Sequence, residues 1–156
     1  MEYTVRRAGL DDIPALIELR AQMFATFIDD SSKIEVMNEY SAGYFREKIQ
    51  QKEFIAWVAE DEGGEVVACS ALSFYFLPPK PFNLEGKYGY ISSMYTREAH
   101  RRKGLARQLL QEALDHARDT GLKMVKLHAS EAGEPLYESV GFKKWNEMAL
   151  VVGESD

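Results

Sequence analysis

Hydrophobic positions along the chain follow two rhythms, and the switches between them mark its elements. Tyr3-Thr4-Val5-Arg6-Arg7 alternates and predicts a first strand. Ile13, Leu16, Ile17, Leu19, Met23 and Phe24 recur at helical spacing, with Asp11 or Asp12 as a cap and Pro14 tolerated in the first turn. A second helix is expected from about Ile34 to Gln50, carried by Ile34, Met37, Tyr40, Ser41, Tyr44, Phe45 and Ile49. Phe27 to Ser32 forms the loop between them. Phe24, Phe27, Tyr40 and Tyr44 are read as core, with a pocket wall as the weaker alternative.

Phe54 to Glu60 and Glu65 to Phe76 predict two strands joined at Asp61-Glu62-Gly63-Gly64, a hairpin turn. The proline-rich run Leu77 to Asn83 breaks the pattern as a stiff surface loop. Tyr88 to Thr96 is the next strand. Leu105, Leu109, Leu110, Ala113, Leu114 and Ala117 then define one face of a helix that Gly121 ends. Met124 to Ala129 predicts a strand, Glu134 to Val140 a two-turn helix and Lys143 to Val152 a closing strand before a polar tail. The order is β, α, α, β, β, β, α, β, α, β. The middle hairpin is antiparallel, and the strand–helix–strand unit from Tyr88 to Ala129 is expected to be parallel. No internal repeat or linker divides the 156 residues, so a single domain is expected.

Composition narrows the classes. At 46% hydrophobic and 12% aromatic the chain is globular rather than disordered. No apolar run approaches the roughly 20 residues that span a bilayer, so no membrane role is expected. The N-terminus, Met1-Glu2-Tyr3-Thr4, lacks the features of a signal peptide, and a cytoplasmic protein fits best. The formal net charge of −6 argues against a nucleic-acid partner. Cys69 is a lone cysteine in an apolar run and reads as a buried small residue.

Against this acidic background one turn stands out. Arg101, Arg102, Lys103 and Arg107 crowd a helix start, where unpaired N–H groups and the macrodipole favour negative charge. A bound anion would reverse that repulsion, and Gly104 would let the backbone approach it closely. The ordinary reading is a solvated turn; charge and glycine alone do not choose between the two.

Two motifs carry a resemblance. Arg101-x-x-Gly104-x-Ala106, following a strand and opening a helix, resembles the acetyl-CoA signature of the GNAT superfamily of N-acetyltransferases, Gln or Arg, two residues, Gly, one residue, then Gly or Ala. Pro135-Leu136-Tyr137-Glu138-Ser139-Val140-Gly141-Phe142 is similar to that family's late helix with its tyrosine. The element order matches over nearly the whole chain.

The resemblance implies an α/β fold of the GNAT type. Its mixed central sheet would have about six or seven strands with flanking helices, and one parallel strand pair would splay apart. It implies cofactor contacts from Met94, Tyr95 and Thr96 and from the turn Arg101, Arg102, Lys103, Gly104, Leu105, Ala106 and Arg107. Ser130 and Tyr137 complete the set, with Ser130 near the place of the asparagine that often touches the pantetheine arm. The Met94 N–H would polarise the thioester carbonyl, and Tyr137 would protonate the departing thiolate. Tyr90 stands where some members place a catalytic glutamate, so His128, Glu131 and Glu85 are the candidates for a water-mediated base. For His128 an ordinary hydrogen-bonded strand histidine is the stronger reading.

The function implied is acetyl transfer from acetyl-CoA, as co-substrate, to a primary amine of a small molecule or peptide. Asp29, Asp30, Glu35 and Glu39 would suit a cationic acceptor, or are ordinary surface. The alternatives are a CoA-binding sensor without turnover and a binder of another phosphate ligand. Many family members form homodimers. The three histidines lack metal-site spacing, and no metal is expected.

Overall fold

A computed structural model describes residues 1–156. A five-stranded sheet organises the chain, in the spatial order β1 (Thr4–Arg7), β2 (Phe54–Glu60), β3 (Val66–Phe76), β4 (Lys87–Thr96) and β5 (Val125–Leu127). The first three pairings are antiparallel and β4–β5 is parallel. Helices α1 (Ile13–Ala25) and α2 (Ser31–Gln50) fill the first long connection, α3 (Leu105–Asp119) the crossover from β4 to β5, and α4 (Glu134–Ser139) follows β5.

The apolar pattern of β2 explains its central place. Phe54, Ala56 and Val58 face Ile13, Leu16 and Leu19 of α1 and Phe45 of α2. Ile55, Trp57 and Ala59 face Leu105, Leu109, Leu110 and Ala113 of α3. A strand buried on both faces reads as a continuous apolar run.

Two expectations are corrected. The sheet has five strands rather than six or seven, because Lys143 to Val152 forms no strand. That segment has strand-like residues, but a strand also needs an edge to pair with, and β5 offers only three residues. Its approach to β5 is through side chains, the Lys126–Glu147 ion pair, while Met148, Leu150, Val151 and Val152 stay exposed. The aromatic set is the second correction: Phe27, Tyr40 and Tyr44 are exposed rather than core. Only Phe24 is partly covered, because α1 and α2 meet the sheet through Leu16, Leu19 and Phe45.

Smaller shifts have local causes. Helix α2 starts earlier than its apolar spacing indicates, since the Asp30 carboxylate accepts the Ser32 N–H at 3.0 Å and caps it there. The loop before β4 is closed by Gly86 at φ +68, where a Cβ would lie 1.9 Å from the Leu77 carbonyl oxygen, so only glycine fits.

Candidate active site

The parallel ladder between β4 and β5 is short. It pairs Gly89 with Val125, Tyr90 with Lys126 and Ile91 with Leu127, and then stops. Strand β4 continues to Thr96, leaving the backbone of residues 92–96 without a partner on that side. On its other side, β4 contains a bulge. Ser93 and Met94 stand opposite the single residue Ser70, between the pairs Ala71–Ser92 and Cys69–Tyr95. Ser93 accordingly has φ +57, a conformation that costs a non-glycine residue roughly 1 kcal/mol or more. Bulges of this kind re-aim side chains and collect beside functional sites.

Beyond Thr96 the chain reaches the basic turn. Arg102 has φ +63 and Gly104 φ +79, two left-handed residues within three positions. Nothing lies within 4 Å of a Cβ placed on Gly104, so the space above the turn is open. Gly104 caps α3 without any side-chain hydrogen bond, and the first turn of α3 holds no acidic residue. The first amides of α3 therefore point outward unpartnered by side chains, beside exposed Arg102, Lys103 and Arg107. Leu105 is buried against the sheet and anchors the turn from below. Arg101 folds back, its Nε donating to the Thr96 carbonyl at 2.9 Å and its guanidinium lying 5.5 Å from the centre of the Tyr95 ring.

Helix α4 is held to this turn. Arg107 Nη2 donates to Ser139 Oγ at 2.9 Å. Tyr137 packs against the α3 face of the core and edge-on to Phe142. Burial pushes its phenol above the ordinary tyrosine pKa, so it carries its proton at neutral pH. Ser130 does not reach toward α3; its Oγ accepts the Gly133 N–H at 3.1 Å and shapes the turn entering α4. Gly133 sits close under the ring, since a Cβ there would stand 3.1 Å from Tyr137.

Among the base candidates, Glu85 precedes β4 at the far end from Met94. Seven residue steps at about 3.3 Å each separate Lys87 from Met94, so Glu85 is remote from it. His128 and Glu131 lie just past the end of β5, where the two strands part, and both are exposed. Cys69 is fully buried beneath the bulge, its thiol donating to the Ser93 carbonyl at 2.8 Å, and burial pushes its pKa up to about 12. It is inert as a nucleophile. No group of three or more His, Cys, Asp or Glu side chains is gathered to hold a metal ion, and no helix is long and apolar enough to cross a membrane.

A family model described as Acetyltransferase (GNAT) family matches residues 16–142. The chain belongs to the GNAT family. It is an acyltransferase, similar to the L-methionine sulfoximine/L-methionine sulfone acetyltransferase of Pseudomonas aeruginosa at 30% identity, over 97% of this chain and 86% of that protein. An N-acetyltransferase of Bacillus subtilis, YsnE, is 34% identical over 62% of this chain and 61% of its own length. The crystal structure of a Clostridium acetobutylicum acetyltransferase with acetyl-CoA superposes with TM-score 0.85 at 26% identity, covering 96% of each chain. A GCN5-related N-acetyltransferase from Ralstonia eutropha reaches TM-score 0.87 at 27% identity, covering 97% of this chain and 99% of that one.

This GNAT chain also has a cavity of about 820 Å³ beyond the β5 edge, between the end of α3, α4 and the segment after Phe142. It contains Tyr137 and His128 but none of the residues from Met94 to Arg107. It is the gap beside the unpaired closing segment rather than the cleft where β4 and β5 separate.

Sequence reasoning missed Arg20. Its guanidinium donates from Nη1 to Ser93 Oγ at 2.8 Å and lies 5.0 Å from the centre of the Phe24 ring. The signal was present: Arg20 completes the α1 stripe of Ile13, Leu16, Ile17 and Phe24, a lone cation on an apolar helix face.

Proposed function

We propose that the protein transfers an acetyl group from acetyl-CoA to the primary amine of a small molecule or peptide. The amine attacks directly while both substrates share one cleft. The observation that carries this reading is the run of unpaired β4 backbone, residues 92–96, leading into a left-handed basic turn at an uncapped helix start. The unpaired edge suits the amide-bearing pantetheine arm, which can add as a strand would. The turn suits the pyrophosphate: open space at Gly104, outward amides from Arg102 to Arg107, and cationic side chains.

Acetyl-CoA supplies the activated thioester. The chain supplies its environment. The Met94 N–H, re-aimed by the bulge, polarises the thioester carbonyl as negative charge grows on oxygen. The amine nitrogen bonds to the carbonyl carbon, the carbon–sulphur bond breaks, and Tyr137 gives its proton to the leaving sulphur. A water relay near His128 and Glu131 removes the proton that the amine must lose. Tyr137 regains its proton from solvent, leaving amide and free CoA. Shared binding supplies much of the acceleration by fixing the reacting atoms.

The test is release of free CoA from acetyl-CoA by purified protein across a broad amine panel. Acceptor-dependent release establishes the transfer. Acetyl-CoA binding without release from any amine would instead support a sensor.

A further inference from the structure

Arg20 is a cation with no counter-charge. None of the ion pairs in the structure includes it, although the chain carries 25 acidic residues. The only hydrogen bond from its guanidinium goes to Ser93 Oγ at 2.8 Å, so most of its five N–H donors are free. It is half-buried between α1 and the β4 bulge, and desolvation lowers its pKa from the usual arginine range. Taking a cation out of water without a partner weakens a fold, and proteins keep such groups where something else repays them.

Its position says what that is. Ser93, which Arg20 touches, is adjacent to Met94, and neighbouring Cα atoms are about 3.8 Å apart. A planar fork of donors at that point fits an oxyanion held only a few atoms from the reacting nitrogen. The surroundings suit a small ligand with an apolar portion: Phe24 lies under the guanidinium, Phe27 packs on Phe24, and Tyr44 bonds Ser73 on the same sheet face. Building on the acetyl-transfer reading above, we infer that Arg20 anchors an acceptor that carries an oxyanion close to its amine, as a free amino acid does. Asp29, Asp30, Glu35 and Glu39, read from the sequence as suited to a cationic acceptor or as ordinary surface, are exposed and lie outside the Arg20 contacts.

The experiment measures CoA release with matched acceptors: amino acids, their amides, and the corresponding aminophosphonates. The carboxylate members should exceed their amides by about 10-fold or more in kcat/KM, the worth of one charge-assisted pair. The phosphonate arm decides which oxyanion the fork takes. Arg20→Gln should erase that preference by raising the acceptor KM, leaving the KM for acetyl-CoA unchanged, and Arg20→Lys should restore part of it. The Tm of Arg20→Gln should be unchanged or higher, because an unpaired cation has been removed. Amides acetylated as well as acids, or Arg20→Gln slowing both members equally with a lower Tm, would overturn the Arg20 role and leave acetyl transfer standing. No release from these members, with release from another amine of the broad panel, would overturn the Arg20 role alone; no release from any amine would overturn both.

Discussion

Arg107 Nη2 and Ser139 Oγ, 2.9 Å apart, join the first turn of α3 to the last residue of α4. The bond ties the helix bearing Tyr137, the proposed acid, to the turn proposed to hold pyrophosphate. Both partners are exposed, which limits the bond to about 0.5–1 kcal/mol. Ser139→Ala should therefore raise the KM for acetyl-CoA or lower kcat by only about 2- to 5-fold in steady-state assays. Unchanged kinetics would mean that α4 is placed by its packing alone.

Tyr137→Phe should separate chemistry from binding. Loss of a positioned acid costs about 100-fold or more in the chemical step, while acetyl-CoA affinity should hold, since only the departing sulphur uses the hydroxyl. Burial raises the Tyr137 pKa, so this acid loses its proton only above the ordinary tyrosine value of about 10. The pH–kcat profile should show no alkaline fall below that point. Equal single-turnover rates in the two proteins would reduce Tyr137 to a packing residue.

Asp12 offers a test of the frame. Arg6 grips its carboxylate through two bonds, Nη1 to Oδ2 at 2.9 Å and Nη2 to Oδ1 at 2.8 Å, and the Gly9 N–H adds a third at 2.8 Å. The Arg6 hydrogen bonds hold the Asp12 pKa below the usual range. A carboxylate favoured by the fold stabilises it above its unfolded pKa of about 3.9, and that stability disappears as pH falls through the folded value. Asp12→Asn should cost about 1–3 kcal/mol in urea unfolding near neutral pH. The gap from wild type should stay constant between about pH 5 and 8 and shrink below about 4. A gap that persists at low pH would locate the loss in packing rather than charge.

What was legible in the sequence follows from what periodicity encodes. The stripe Leu105–Leu109–Ala113–Ala117 and the double-sided run of Phe54 to Ala59 each report which faces are covered, and both elements formed as expected. The basic turn was legible because its charges oppose the helix dipole. The bulge at Ser93–Met94 was not, because register is a relation between two strands and leaves no mark on either alone. Lys143 to Val152 shows the same limit from the other side: strand-like residues with no edge in register remain unpaired. Arg20 lay in plain view on the α1 stripe, but its meaning depended on Ser93, 73 positions away.

The most direct measurement is a calorimetric titration of acetyl-CoA into the wild-type protein and into Gly104→Glu. Saturable binding by the first and none by the second is expected, because a carboxylate would occupy the open space, at a φ of +79, proposed for the phosphate. Binding of equal strength to both would contradict the placement of acetyl-CoA at this turn.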